Sequence, residues 1–156
     1  MTPACIYLDK KKIAYTIHEY HHDPAAEQFG LEAAEKLNLA PETVFKTLLV
    51  TDDKQLFVTI IPVTHTLNLK KAAKACGVKK VKMADPKVAE KSSGYLVGGI
   101  SPIAQKKSLP TFVDQSAEKL VSIYISGGKR GLDIGLKPND LLKACHPAKL
   151  ADLKDD

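Results

Sequence analysis

The chain has 156 residues, of which 44% are hydrophobic and 26% are charged, a composition typical of a soluble globular protein. This length favours a single domain over residues 1–156 and is enough to bury a core without a covalent staple. No apolar run approaches the roughly 20 residues that span a bilayer, and the first lysines follow a short apolar piece instead of preceding it. We therefore expect neither a membrane span nor a secretion signal, and we expect a cytoplasmic protein. The three cysteines, Cys5, Cys76 and Cys145, are odd in number and widely spaced, which indicates reduced thiols.

Helix and strand patterns alternate from the first residues onward. Pro3 is typical of the first turn of a helix, and Asp52-Asp53-Lys54 separates two β-rich runs, which is a hairpin signal. The first half is predicted to contain a helix, a strand, a loop, a helix and two hairpin strands: residues 3–12, 14–20, 21–30, 31–38, 44–51 and 55–63.

The second half begins with two capped helices. Asn68 can cap a helix that Gly77 ends, and Asp85-Pro86 opens another that stops before Gly94. The other predicted pieces are strands at 78–83, 111–114, 121–126 and 132–136, an extended run at 95–102, a turn at 127–131, a last helix from Asn139 or Asp140, and a frayed tail at 147–156. Because hairpins outnumber long crossovers, the expected fold class is α+β, with a mixed, curved or barrel-like β-sheet surrounded by helices.

One lysine interrupts an apolar strand in the stretch 41-PETVFKTLLV-50. Side chains alternate along a strand, so Lys46 shares the more apolar face with Val44 and Leu48. Burying a lone ammonium group costs several kcal/mol unless it is paired. Two interpretations are open: either the lysine stem reaches solvent at the edge of the sheet, or an anionic or carbonyl-rich ligand meets the ammonium. In the second case desolvation lowers the lysine pKa.

Two glycine-rich segments have the composition of binding loops. Gly98-Gly99 interrupts an apolar run, which is typical either of a bulge or of a place where backbone N–H groups hold a carbonyl or carboxylate oxygen. The segment 126-SGGKRG-131 either binds a phosphate at a turn or closes a hairpin. Neither has the spacing of a phosphate loop or a dinucleotide-binding fingerprint.

Searches for other chemistry find little. There is no GxSxG motif, and His21-His22-Asp23 lacks a second pair at metal-ligand spacing, so neither a metal nor a cofactor is expected.

The positive charge is concentrated in one segment. Residues 70–91 contain eight lysines opposed by Asp85 and Glu90. Such a field suits either a polyanion held by its phosphates or a solvated face. Arg130 is the only arginine, so the sequence predicts attraction to a nucleic-acid backbone with little reading of bases.

The order of several segments resembles the bacterial YbaK-type Cys-tRNA(Pro) deacylases, a family that includes the editing domain of prolyl-tRNA synthetase. The matching segments are 20-YHHDPAAEQFGLEAAE-35, VFKTLLV, NLKKAAKACGVKKVKMAD, KSSGYLVGGISP, SGGKRG and Pro138. They cover roughly residues 1–145, and the resemblance implies the fold of that family.

The resemblance also implies an enzyme that clears cysteine from mischarged Cys-tRNA(Pro) in trans. In this family the cysteinyl sulfur attacks its own ester carbonyl, expels the tRNA 3′ terminus and forms a cyclic thiolactone, formally a lyase-like step. Such chemistry needs no protein nucleophile, metal or cofactor, and leaves the protein to position and stabilise the reacting groups. The implied partners are the acceptor end of the mischarged tRNA and prolyl-tRNA synthetase in a ternary complex, without a membrane.

The resemblance assigns roles to particular residues. Lys46 would hold the phosphate of the 3′-terminal adenosine or the ester region, and the Gly98 and Gly99 backbone would contact the aminoacyl carbonyl. The expected substrate-binding residues are Tyr20, Phe29, Thr47, Ser101, Ser126 and Asp133. Those expected to contact tRNA, by charge, are Lys70, Lys71, Lys74, Lys79, Lys80 and Arg130.

One departure and two rival functions stay open. Ala104 stands where the family pattern has glycine, and a positive φ there would strain an alanine. Editing of Ala- or Ser-tRNA through a positioned water is one rival. A non-catalytic module that binds tRNA or a synthetase is the other. Schiff-base chemistry at Lys46 is a further alternative.

Overall fold

A computed structural model describes residues 1–145 and 148–156 of the chain. The α-helices lie at Pro3–Lys10 (α1), Phe29–Lys36 (α2), Leu69–Cys76 (α3), Pro86–Ser93 (α4) and Pro138–Ala144 (α5). The strands lie at Thr16–Glu19 (β1), Phe45–Thr51 (β2), Leu56–Pro62 (β3), Lys82–Met83 (β4), Thr111–Asp114 (β5), Ile123–Lys129 (β6), Leu132–Leu136 (β7) and Ala148–Ala151 (β8). Short 3-10 turns occupy Pro41–Thr43 and Gln115–Lys119.

The described strands form two sheets instead of one closed barrel. One sheet is antiparallel, in the order β1-β7-β6. The other has the order β4-β2-β3-β5-β8 and is mixed, because β3 and β8 both run parallel to β5 while β2 is antiparallel to its neighbours. The two sheets touch where Val44 bridges Tyr124. The predicted α+β class with a mixed sheet is confirmed.

The core lies on both faces of the mixed sheet. Phe45 and Leu49 belong to the larger buried cluster, whereas Val50 belongs to a second cluster against α3. Because successive strand residues point to opposite faces, an apolar run such as that of β2 indicates a strand covered on both sides. None of the helices in the described ranges is long and apolar enough to cross a membrane.

Capping signals placed both ends of α3 and α4 correctly, whereas α5 begins at Pro138, one or two residues before the predicted start. The Asn68 side chain accepts a hydrogen bond from the Lys71 N–H at the start of α3, and Gly77 ends that helix with φ +73°. Asp85 caps α4 in the same way, with Pro86 as its first residue. The helix predicted at 31–38 begins two residues earlier, at Phe29, and the strand predicted at 78–83 is reduced to Lys82–Met83.

Two sequence predictions are wrong. The tail predicted as frayed contains β8, and Leu153 beyond it is fully buried, with its N–H donating to Asp114 Oδ1 at 3.0 Å. Pro147, at the start of that predicted tail, lies outside the described residues together with His146. The run 95–102 is a series of turns instead of an extended segment, because the Gly98 backbone has φ +92° and the Gly99 N–H turns back to the Leu96 carbonyl at 2.9 Å.

Candidate active site

A cavity opens where the two sheets diverge along the edge of β2. β4 pairs with β2 at Val50 and Thr51, and the Val44 bridge joins the other end of β2 to β6. The edge between them faces a cavity of about 1060 Å³. Pockets for drug-sized ligands have about 300–1000 Å³, so this one has room for an aminoacyl group together with a nucleoside.

The cavity contains seven of the residues that the sequence predicted for the site. They are Tyr20, Phe29, Lys46, Thr47, Gly98, Ser126 and Asp133. These residues come from the loop after β1, from α2, β2, the 94–99 loop, β6 and β7, so both sheets and the intervening loops contribute.

Lys46 is a half-buried cation in this cavity. Val44, which shares its face of the strand, is 1% exposed, so the surroundings of the lysine stem are apolar. Burial lowers the pKa of Lys46 below its usual value. No carboxylate in the described ranges forms an ion pair with its Nζ. An incoming anion or carbonyl oxygen could therefore replace water at this ammonium group without first breaking a salt bridge.

Asp133 supplies a carboxyl group that favours its neutral form. It lies on β7 opposite Ser126 of β6 and is 6% exposed. Burial raises the pKa of Asp133 to about 7. Burial, followed by the charge of Asp133, also raises the pKa of the nearby Tyr20 hydroxyl. A cationic ligand group, such as an α-ammonium, would favour the ionised carboxylate and compensate its desolvation.

Thr47 lines the cavity next to Lys46 and has an unpaired hydroxyl on the opposite face of β2. Its Oγ1 is buried and has no hydrogen-bond partner within the described ranges. An unsatisfied buried polar atom costs about 1–3 kcal/mol.

The loop between β1 and α2 is held by a buried carboxylate. Glu32 of α2 accepts from the Asp23 N–H at 2.7 Å and from Lys36 Nζ at 3.0 Å, and its Oε1 lies 2.7 Å from His22 Nδ1. Burial opposes ionisation, but these contacts outweigh it and lower the pKa of Glu32 to about 2. The network fixes the loop that leads to Phe29, at the start of α2. Sequence reasoning missed Glu32, although its spacing of four residues from Lys36 is a recognisable helix ion pair.

The structure does not bring the other predicted site residues into the cavity. Gly99 and Ser101 are buried behind it, and the Ser101 hydroxyl accepts from the Ile103 N–H at 3.2 Å. The lysines predicted to contact tRNA lie outside the lining: Lys70, Lys71, Lys74, Lys79 and Lys80. All but Lys71 are exposed.

Lys71 and Arg130 are already engaged within the protein. Lys71 Nζ lies 3.3 Å from Asp152 Oδ1, 3.2 Å from Asp156 Oδ1 and 2.9 Å from the Lys154 carbonyl oxygen. These contacts neutralise part of the basic field that the sequence predicted for this segment. Arg130 donates to the Val97 carbonyl, as described below.

None of the three cysteine thiols lies in the lining of the cavity. Cys5 and Cys145 are buried in the core, and burial followed by the charge of Asp52 raises the pKa of Cys76, which is outside the cavity, to about 11. In the part of the chain that the structure describes, His, Cys, Asp and Glu side chains form no group of three that could hold a metal ion. His65, Asp155 and Asp156 line the rim and were not predicted. Asp155 and Asp156 belong to the docked tail, for which the sequence carries no local signal, whereas His65 follows β3.

The chain belongs to the aminoacyl-tRNA editing domain family, whose model matches residues 24–144. It is 38% identical over 143 residues to EbsC of Enterococcus faecalis, which is named as a candidate Cys-tRNA(Pro)/Cys-tRNA(Cys) deacylase, with 90% of this chain and 86% of that protein covered. It is also 21% identical over 140 residues to the proline–tRNA ligase of Listeria welshimeri, spanning 24% of that longer protein. The family resemblance seen in the sequence is confirmed.

Two solved structures share the fold. A candidate trans-editing enzyme for prolyl-tRNA synthetase superposes with a TM-score of 0.84 at 22% identity, covering 100% of this chain and 99% of that one. The hypothetical protein APE2540 superposes with a TM-score of 0.86 at 23% identity, covering 98% and 99%.

Proposed function

We propose that this protein is a trans-editing deacylase that removes cysteine from mischarged Cys-tRNA(Pro). The observation that carries the proposal is the cavity, since this chain belongs to the aminoacyl-tRNA editing domain family. Lys46, Asp133 and Thr47 line the cavity, and no cysteine does. Discrimination between amino acids of similar size by a hydrophobic site is worth only about 1–3 kcal/mol, so a second enzyme that recognises cysteine chemically has a clear use. Because mischarged tRNA arises where the synthetase works, the proposal places the protein in the cytoplasm.

The proposed reaction uses the substrate's own sulfur. The cysteinyl sulfur forms a bond to its ester carbonyl carbon, the ester C–O bond breaks, and the thiol proton ends on the departing ribose oxygen of the tRNA. The products are a thiolactone and free tRNA. Because the thiol and the carbonyl belong to the same residue, the step is already intramolecular. The protein contributes by holding the attack conformation and by stabilising the charge that develops on the carbonyl oxygen.

The residues of the cavity take separate roles in this proposal. The Lys46 ammonium meets the phosphate or ester region at the 3′ end, and the Asp133 carboxylate meets the substrate α-ammonium. Phe29 and Tyr20 flank the adenosine or the aminoacyl group. The Gly98 amide faces the aminoacyl carbonyl, and Thr47 forms part of the wall against the bound ester beside Lys46.

The exposed lysines of the 70–91 segment serve in the proposal as the contact for the acceptor stem. Lysine attracts phosphate as a point charge and reads few bases. Selection of tRNA(Pro) would then depend on prolyl-tRNA synthetase in a ternary complex.

The test compares Lys46→Ala with Lys54→Ala, a matched loss of one charge in the exposed β2–β3 turn. We expect Lys46→Ala to lower turnover of Cys-tRNA(Pro) at least about 100-fold, since misplacing the reacting groups costs that much. Lys54→Ala should retain the wild-type rate. Salt-dependent tRNA binding should change little in either variant. Equal turnover in all three proteins would contradict the role given to Lys46.

A second candidate is hydrolysis of another mischarged aminoacyl-tRNA, such as Ala- or Ser-tRNA, through a positioned water. The presence of His65 in the cavity lining favours it, because histidine is the commonest general base. Efficient turnover of Ala-tRNA(Pro), with Cys-tRNA(Pro) left intact, would replace the cysteine proposal with this one.

A further inference from the structure

The peptide group of Val97 is held from both ends. Arg130 donates two hydrogen bonds to the Val97 carbonyl oxygen, from Nε at 3.0 Å and from Nη2 at 2.7 Å. On the other side, the Val97 N–H donates to Glu90 Oε2 of α4 at 2.8 Å. One loop residue is thus fixed between α4 and the β6–β7 turn.

The same guanidinium group covers the aromatic wall of the cavity. The Arg130 Cζ atom lies 4.7 Å from the centroid of the Phe29 ring, within the range of a cation–π contact. Gly98 packs between the two, since a Cβ on Gly98 would collide with Arg130 Nε and lie 3.1 Å from the Phe29 ring carbons. The φ of +92° at Gly98 adds a second reason for glycine at this position.

The loop that Arg130 holds brings Gly98, whose amide has no acceptor in the described residues, to the lining of the cavity. The Gly99 N–H is used by the Leu96 carbonyl at 2.9 Å, but the Gly98 N–H finds no acceptor among the residues described. Gly98 lines the cavity, whereas Arg130 does not. The guanidinium group therefore acts on the site through Val97, Gly98 and Phe29.

We propose that Arg130 is a positioning residue that clasps the Val97–Gly98 loop and the Phe29 ring, and so presets the Gly98 amide for the aminoacyl carbonyl. This inference rests on the proposed function for the identity of the carbonyl and revises the expectation that Arg130 contacts tRNA. An arginine suits the position because its planar fork can give one acceptor two hydrogen bonds while its face stacks on a ring. Lysine offers a single point donor, so Arg130→Lys should not restore the clasp.

The first arm of the test needs no substrate. Hydrogen exchange of the segment 94–100 is compared in wild type, Arg130→Ala and the adjacent exposed control Lys129→Ala. Loss of the hydrogen bonds should make exchange in this segment about threefold to tenfold faster in Arg130→Ala, with the wild-type rate in Lys129→Ala. Thermal unfolding of each variant shows whether any change is confined to the loop.

The second arm uses Cys-tRNA(Pro) as the probe. Arg130→Ala should lower kcat about 10- to 100-fold, with the salt dependence of tRNA binding unchanged. Millimolar guanidinium should restore part of the lost rate, whereas Arg130→Lys should stay impaired. A direct phosphate contact would instead raise KM, lower the salt slope by about one, and leave exchange of the loop unchanged, and this result would overturn the clasp.

The two arms separate this inference from the proposed function. If wild-type protein leaves Cys-tRNA(Pro) intact, the proposed function fails, and the exchange comparison still decides whether Arg130 holds the loop. If wild-type protein is active and exchange is the same in all variants, the clasp fails alone.

Discussion

Replacing Asp133 by asparagine removes one ionisable group from the wall of the cavity with little change in shape. Burial raises the pKa of this carboxyl from 3.8 to about 7. A raised folded-state pKa means that the native protein binds the proton more tightly than the unfolded chain does. The stability that Asp133 contributes is therefore complete below about pH 3.8 and is lost as the pH rises through about 7.

The size of the effect follows from the shift. Three pKa units correspond to about 4 kcal/mol, since each unit is worth about 1.4 kcal/mol. Of these three units, only the roughly two between pH 5 and about pH 7 fall within the range from pH 5 to pH 8.5, which is about 3 kcal/mol. Solvent that reaches the group through the open cavity reduces this value, so about 1–3 kcal/mol is expected over that range. Wild-type protein loses this amount over that range and Asp133→Asn does not, so the variant gains stability relative to wild type as the pH rises.

Urea unfolding of both proteins at pH 5 and pH 8.5 measures this double difference. Comparing the two proteins at pH 5 gives the cost of a buried amide in place of a neutral carboxyl, and that cost cancels from the result. Other groups titrate equally in the two proteins and also cancel. A double difference near zero, or one in which the variant loses stability at high pH, would refute the burial argument.

Three further changes test the surroundings of the site. Ala104 has φ +57°, a backbone conformation in which a side chain costs about 1–2 kcal/mol. Ala104→Gly should therefore raise the free energy of unfolding, measured in urea, by about 0.5–1 kcal/mol. The control Ala75→Gly, within α3, should lower it by about 1 kcal/mol. Glu32→Gln should destabilise the protein by about 1–3 kcal/mol at pH 7, and, because the pKa of Glu32 is lowered to about 2, calorimetry should show this difference disappearing as the pH falls from 4.5 towards 2. Burial of Asp114 opposes its ionisation, but hydrogen bonds from the N–H groups of Ser116 and of the docked tail outweigh burial and lower its pKa. Asp114→Asn should therefore lower the free energy of unfolding in urea at pH 7 by about 1–3 kcal/mol and speed hydrogen exchange in residues 148–154. An unchanged stability and unchanged exchange rates would contradict the role of Asp114 as an anchor of the tail.

The parts of the fold that rest on local patterns could be predicted from the sequence. The helix ends at Asn68, Gly77 and Asp85 follow from caps, which involve neighbouring residues only. The position of Lys46 on an apolar strand follows from a period of two. Ala104 has φ +57°, which is the condition under which this departure from the family pattern predicts strain.

The parts that rest on distant partners could not be predicted in this way. β8 forms because β5, more than 30 residues earlier, offers an open parallel edge, and Asp114 then holds the chain beyond it. The engagement of Arg130 with Val97 joins residues 33 apart in sequence. Charge alone assigned Arg130 to tRNA, because composition carries no information about which donors are already used.

The central claim is that the substrate provides its own nucleophile, and one comparison tests it most directly. Deacylation of Cys-tRNA(Pro) is measured beside the same tRNA with the cysteinyl thiol alkylated. We expect the free-thiol substrate to be cleaved and the alkylated one to remain intact at the same enzyme concentration. Cleavage of both at similar rates would contradict attack by sulfur and would leave a positioned water as the nucleophile, and cleavage of neither would favour a non-catalytic tRNA-binding module.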